Sequence, residues 1–197
     1  DIIIPRVLRW KLFEHNTAHS SQIGFQIYPL GTFTTDDPSL VNHFTAYKNG
    51  RGLLIHRSFG LRFRNSIFAD NYEMQIDLDR AYSFELDDSL VVGKSPLNQY
   101  DCPNFHGVEM FPLNTLRNYF DAVTMRNVSF EHFRGCPLGP LGLRSLERNA
   151  GENFFQPSHL FTDCHFLDEG DDRRLDFPPK STYPSDLDSW PTRSVVR

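Results

Sequence analysis

The chain has 197 residues, 39% of them hydrophobic and 18 of them Phe, against 2 Trp and 3 Met. That supply of apolar side chains is enough to bury a core, which excludes wholesale disorder, and its bias toward flat rings fits stacked layers better than a helical bundle. Lys and Arg number 20 and Asp and Glu 25, for a net charge of −5, a balance that disfavours a broad electrostatic grip on nucleic acid or on an anionic membrane.

The first ten residues, Asp1-Ile-Ile-Ile-Pro-Arg-Val-Leu-Arg-Trp10, read as apolar strand with no signal-peptide layout. They look like the continuation of something longer, and Ile2, Ile3, Ile4 and Trp10 are expected to pair with preceding windings or with a neighbouring subunit. Short alternating runs follow, the signature of half-buried strands: Leu61 to Ile67, Glu73 to Asp79, Tyr82 to Asp87 and Ala122 to Val128. The best helix candidate, Leu113 to Phe120, is short. No apolar run reaches the roughly 18 residues of a membrane-spanning helix. From Asp168 onward the chain turns acidic and then Pro-rich, with Pro178, Pro179, Pro184 and Pro191. Residues 168–197 therefore read as a linker or surface arm and a poor strand partner, and residues 1–167 as the folded segment.

Laid over one another, the strands repeat. Phe63-Arg-Asn65-Ser-Ile-Phe68 matches Met125-Arg-Asn127-Val-Ser-Phe130 and Phe161-Thr-Asp163-Cys-His-Phe166, with Leu86-Asp-Asp88-Ser-Leu-Val91 as a weaker copy. A second form ends in Asn: Phe13 to Asn16, Tyr47 to Asn49 and Phe68 to Asn71. Anchors at Phe13, Tyr47, Phe68, Val91, Phe130 and Phe166 are then 34, 21, 23, 39 and 36 residues apart. Such spacings suit a right-handed parallel β-helix, in which short strands stack winding on winding and extra residues leave as loops. Phe63, Phe68, Phe130 and Phe166 should stack in a dry interior, and Asn and Asp should occupy tight turns where they tolerate a left-handed backbone.

The residues in this order resemble a known family. Phe13-Glu-His-Asn16-Thr-Ala-His19-Ser20 with Gly24-Phe25, then Phe44-Thr-Ala-Tyr47-Lys-Asn49-Gly50, then Leu61 to Asn71, resemble successive windings of fibrocystin-L and its relatives. Gly93-Lys-Ser95, Cys102 with Gly107-Val108, and Phe130 to Cys136 extend the likeness to about residues 10–168. The same region is similar to part of the cell-surface hyaluronidases and hyaluronan-binding cell-migration proteins. The resemblance implies a β-helical segment of a large extracellular or membrane-tethered protein, partnered by other segments of its parent chain or by neighbouring subunits. It carries over no catalytic residue, because the hyaluronan chemistry of that family is assigned to other parts of those chains.

Several clusters could carry chemistry. Asp77 and Asp79 share one face of a strand, and Glu85 and Asp87 follow on the next. Carboxylates on strands about 4.8 Å apart reach the separations used in glycoside hydrolysis, so these four are the candidates for a polysaccharide-cleaving enzyme; an ordinary solvated face is the competing reading. Arg57, Arg62 and Arg64, with Lys48 and Arg51 nearby, could meet an acidic polysaccharide or simply balance the acidic face. His15 and His19 lack a third ligand, and the acidic turn at 168–172 lacks the spacing of a calcium loop, so no metal or cofactor site is read. Cys102, Cys136 and Cys164 form no CxxC. Cys136 and Cys164 flank corresponding ends of adjacent windings and are expected to pair, leaving Cys102 free or bound to a segment outside this sequence. Asn127-Val-Ser129 is a glycosylation sequon whose repeat register, if inward, would bond its amide to the next winding and exclude a glycan; that outcome is favoured. Together the odd thiol count and the sequon lean toward an extracellular compartment. The leading reading is a structural or interaction segment without its own catalysis.

Overall fold

The structure is a computed structural model and describes residues 13–27, 38–98, 107–111, 123–134, 136, 140–143, 160–167 and 195–196. Among these there is no helix. Fourteen strands join in one curled sheet, and every pairing is parallel. The helix candidate at Leu113–Phe120, the acidic turn at 168–172, Cys102 and the first ten residues lie outside the described residues.

Three ladders organise the sheet. The first stacks β1 (Phe13–Glu14), β4 (Ser39–Asn42), the end of β6 (Arg51–Arg64), the middle of β8 (Met74–Val92), the start of β10 (Val123–Glu131), β12 (Leu160–Thr162) and β14 (Val195–Val196). The second stacks β2 (Thr17–His19), β5 (Thr45–Tyr47), β7 (Ile67–Ala69), the end of β8, the end of β10 and β13 (His165–Phe166). The third stacks β3 (Ile23–Ile27), the starts of β6 and β8, β9 (Val108–Phe111) and β11 (Leu141–Leu143). The chain visits the ladders in that order and returns to the first, one winding higher.

Alternation along each strand decides which side chains turn inward. In the first ladder Phe13, Val41, Phe63, Leu86, Met125 and Phe161 are in register, and in the second Ala18, Ala46, Phe68, Val91, Phe130 and Phe166. The third contributes Leu53, Ile55, Ile76, Leu78, Val108 and Leu141. All three columns meet in one core. Phe63, Phe68 and Phe130 are fully buried and Phe166 is half-buried; Phe63 and Phe68 lie 5.9 Å apart, and the Phe130 and Phe166 rings stack at 5.0 Å. The expected stacked interior is therefore present.

The anchor alignment needs correction in its first two windings. Phe13 belongs to the first ladder, and the second-ladder residues in register with Phe68 are Ala46 and Ala18, with Tyr47 facing outward against His19. Alanine fills the column where neighbouring rings of Phe25 and Phe44 take the space. Val195 and Val196, beyond the Pro-rich segment, pair in parallel with Leu160 and Phe161.

Corners are built by left-handed residues. His15, His43, Asn65, Asp88, Asn127 and Asp163 occupy the corner between the first and second ladders, with φ between 49° and 55°. A left-handed residue turns the strand sharply, yet its amide still reaches the next winding: His15 donates to the Asn42 carbonyl at 3.1 Å, His43 to Arg64 at 3.0 Å and Asn65 to Asp87 at 3.2 Å. The inward column-to-column step across this corner, Phe13 to Ala18, Val41 to Ala46, Phe63 to Phe68, Leu86 to Val91, Met125 to Phe130 and Phe161 to Phe166, is five residues in every winding. Ser20, Lys48, Asp70 and His132 repeat the left-handed device at the second corner, and Gly60 and Ser83 at the third.

Two polar ladders run inside the corners. Ser66 and Ser89 are buried, their hydroxyls accepting from the Phe44 and Ser66 amides at 3.3 and 3.0 Å. At the second corner Asn49, Asn71 and Gln75 are buried. The Asn49 side-chain amide donates to Asn71 Oδ1 at 3.0 Å, and that of Asn71 donates to Gln75 Oε1 at 2.6 Å. Gly24 and Gly52 lie beside this ladder. A Cβ on Gly24 would stand 2.9 Å from Asn49 Nδ2, and one on Gly52 2.7 Å from Asn71 Nδ2, so a side chain at either would occupy the space the amides use.

Candidate functional site

Asp79, Glu85, Asp87, Arg62 and Arg64 lie on β6 and β8 with side chains at least partly exposed, Asp77 on β8 is buried, and the register does not gather the four carboxylates. Asp77 and Asp79 lie on the third ladder and Glu85 and Asp87 on the first, separated by the corner at Ser83 within one continuous strand. The expectation of acids facing acids on adjacent windings is therefore corrected on the first ladder. Glu85 stands in register with Arg62 and Thr124, and Asp87 with Arg64 and Arg126. On the third ladder Asp79 is opposite His56.

The result is a lattice of ion pairs across three windings. Arg62 Nε donates to Glu85 Oε2 at 2.8 Å and lies 3.4 Å from Asp87 Oδ2. From the other side Arg126 Nη1 donates to Glu85 Oε2 and to Asp87 Oδ1, each at 3.0 Å. Arg64 Nε reaches Asp88 Oδ2 at 3.0 Å, and Asp88 Oδ1 accepts from Asn127 Nδ2 at 2.9 Å. On the third ladder Arg51 bridges Glu73 at 2.8 Å and the buried Asp77 at 2.9 Å, and His56 Nδ1 pairs with Asp79. The Arg57 side chain lies outside the described residues.

Electrostatics follow from these contacts. Burial pushes the Glu85 carboxyl up, but hydrogen bonds from Arg62 and Arg126, with their charges, outweigh it and hold the carboxyl below its ordinary value. The Asn127 amide and then the Arg64 guanidinium hold Asp88 below its ordinary value. Burial alone would lower the Arg126 pKa, yet its hydrogen bonds to Glu85 and Asp87 raise it. A glycosidase acid needs the opposite, a carboxyl held protonated near neutral pH by an apolar or like-charged setting. Glu85 is instead tuned to stay ionised.

The same pairs occupy the arginines. Arg62 lies between two carboxylates, and Arg64 is engaged although more than half of its side chain is exposed. At Arg62 an arriving uronate or sulfate would compete with internal carboxylates already in place. His15 and His19 do not converge: His15 stacks on His43 at 4.6 Å, and His19 stacks on Tyr47 at 5.1 Å. Among the described residues no three His, Cys, Asp or Glu side chains come together as a metal site, and no helix is long and apolar enough to cross a membrane.

The cysteine pairing is corrected. Cys164 is a free thiol, half-buried, 3.8 Å from the Met125 carbonyl, and burial pushes its pKa up. Cys136 is disulfide-bonded, so its partner is not Cys164. Cys164 follows the corner residue Asp163, whereas Cys136 lies beyond the second corner, so the two do not occupy corresponding ends. The Asn127 register is corrected too. It is an exposed corner position and not an inward one, although its amide does bond the neighbouring winding.

The amide ladder of Asn49, Asn71 and Gln75 escaped the sequence reading as a functional element. Its signal was present in Asn49-Gly50 and in Asn71 with Gln75 four residues on, but the partner glycines at 24 and 52 belong to other windings. Comparison with protein-family models, curated proteins and solved structures gives no match.

Proposed function

We propose that this chain is a right-handed parallel β-helix serving as a structural or interaction segment of a large extracellular or cell-surface protein, without catalysis of its own. The single observation that carries the reading is the outward ion-pair lattice. The candidate acids Glu85 and Asp87 each pair with bases from neighbouring windings, so the charged face knits the windings together, and Glu85 is held below its ordinary pKa, the reverse of what a glycosidase acid needs. The right hand is the sense that strand twist imposes on parallel crossovers in about 98% of cases. The likeness to fibrocystin-L and the cell-surface hyaluronidases supports an extracellular setting, and other segments of the parent chain or neighbouring subunits are the partners. Ends of parallel stacks present open backbone groups that pair with further strands.

The experiment is direct. Residues 1–197 are incubated with hyaluronan and with sulfated polysaccharides, new reducing ends are counted, and binding is measured by calorimetry. No cleavage and no saturable binding are expected. Cleavage that disappears in Glu85→Gln, or binding that disappears in Arg62→Ala with the fold intact, would establish the glycan-directed reading in its place.

A further inference from the structure

We infer that Asn127 is an N-glycan acceptor and that the fold is shaped to carry the sugar at this corner. The inference rests on the extracellular reading for its biological occurrence, but the acceptor property itself belongs to the residues. Asn127-Val128-Ser129 has the acceptor triplet, with no proline in the middle position or directly after it. Transfer takes place on the chain before it folds, so the finished fold has to leave room for the product.

The corner does so. Asn127 is exposed, with φ of 52°, at the turn where the chain leaves the first ladder for the second. Val128 points inward and is fully buried, while Arg126 on the other side is exposed. A sugar at this position projects away from the core and disturbs none of the inward column. The buried amides of Asn49 and Asn71 show the contrast: their Nδ2 atoms are enclosed by the next winding, and no substituent would fit.

The chemistry preserves the existing contact. The Asn127 Nδ2 would attack the anomeric carbon of a lipid-linked oligosaccharide diphosphate. A C–N bond forms, the carbon–oxygen bond to the diphosphate breaks, the lipid diphosphate leaves, and one amide proton passes to base in the transferase. A side-chain amide carries two hydrogens and loses one. The other continues to donate to Asp88 Oδ1, now 2.9 Å away. The neighbouring corner residues, Asp88 on one winding and Asp163 on the next, are carboxylates, and a neutral glycosylated amide between them adds no like charge.

The test uses the full chain directed into the secretory pathway of a eukaryotic cell by a cleavable signal peptide. Both the medium and the membrane-enclosed pool are digested with peptide N-glycosidase in heavy-oxygen water and mapped by mass spectrometry. The expected result is isotopic labelling at position 127, one glycan per chain, and its loss in Ser129→Ala, which keeps the corner asparagine. Ile67→Thr completes an acceptor triplet at Asn65, the exposed corner residue two windings below, and should add a second glycan. Unmodified Asn127 in chains whose Asn65 is glycosylated would overturn the inference. So would a glycosylated chain that is retained and misfolded while Ser129→Ala is secreted. Finding the natural protein in the cytosol would sink the extracellular reading alone, because the acceptor result in the directed chain is read independently.

Discussion

Replacing Asn71 by alanine removes the middle of the buried amide ladder, and its cost can be worked from the contacts. Oδ1 accepts from the Asn49 backbone N and from Asn49 Nδ2, each at 3.0 Å, while Nδ2 donates to the Ala46 carbonyl at 3.2 Å and to Gln75 Oε1 at 2.6 Å. Two of these partners keep another bond: Asn49 Nδ2 still reaches the Ala18 carbonyl, and Gln75 Oε1 still accepts from the Asn71 amide. The Asn49 backbone N and one lone pair of the Ala46 carbonyl lose their contact at a site with almost no solvent access. At about 1–3 kcal/mol for each stranded group, the expected loss is about 2–6 kcal/mol, with water entering the vacated space setting the lower end. Asn49→Ala is the internal control. Its outer partner is the exposed Ser21, where solvent can replace the lost bonds, so about 1–2 kcal/mol is expected. Urea titration followed by far-UV circular dichroism measures both. A loss below about 1 kcal/mol for Asn71→Ala at unchanged denaturant slope, or a larger loss for Asn49→Ala, would refute the ladder as a source of stability.

Further outcomes are expected. Phe63→Ala opens a cavity beneath rings contributed by three windings and should cost about 3–5 kcal/mol in the same titration. Gly52→Ala places a Cβ 2.5 Å from the Gln75 backbone carbonyl, a neighbour that cannot yield without moving a strand, and should cost about 1–3 kcal/mol. Glu85 and Asp88 have folded-state pKa values below their unfolded values, 4.5 and 3.8, so their stabilisation is present above those values and is lost as pH falls below them. Acid titration of the melting temperature should show that loss beginning near pH 4.5, and Arg126→Ala should flatten it; an unchanged profile would contradict the pairing. Half-buried Cys164, with its pKa raised, should react with a small alkylating agent far more slowly than a free thiol, and rapid labelling of the folded protein would show that the last windings open readily.

What the sequence disclosed depended on side-chain size and on locality. The corner alignment of Asn65, Asp88, Asn127 and Asp163 was readable because each is followed three residues later by a large apolar side chain, Phe68, Val91, Phe130 or Phe166. It failed at the first two windings because Ala18 and Ala46 fill the same column and alanine carries no pattern. Asp79, Glu85 and Asp87 are partly exposed in the structure, while Asp77 is buried beneath Arg51. Their meaning was not readable, because Arg62 lies 23 residues before Glu85 and Arg126 lies 41 after it, and only the register brings them together. The reach of Val195–Val196 back to β12 was hidden by the prolines that precede it, whose local rule says nothing about a strand beyond them.

The five-residue step across the first corner has a consequence for how such a chain changes length over time. From one first-ladder strand to the next, the in-register separation varies: Phe63 to Leu86 is 23 residues and Leu86 to Met125 is 39, yet none of that variation enters the first corner. A single residue gained or lost there would reverse every inward and outward side chain of the following strand, exchanging buried Phe130 for Ser129 or Glu131. Residues gained at the other two corners leave the columns where they were, as the kept register shows, at an entropic cost that grows only slowly with length. Insertions and deletions are thus channelled to one side of the molecule, so new surface is acquired along the third ladder and its borders while the opposite edge keeps its outline.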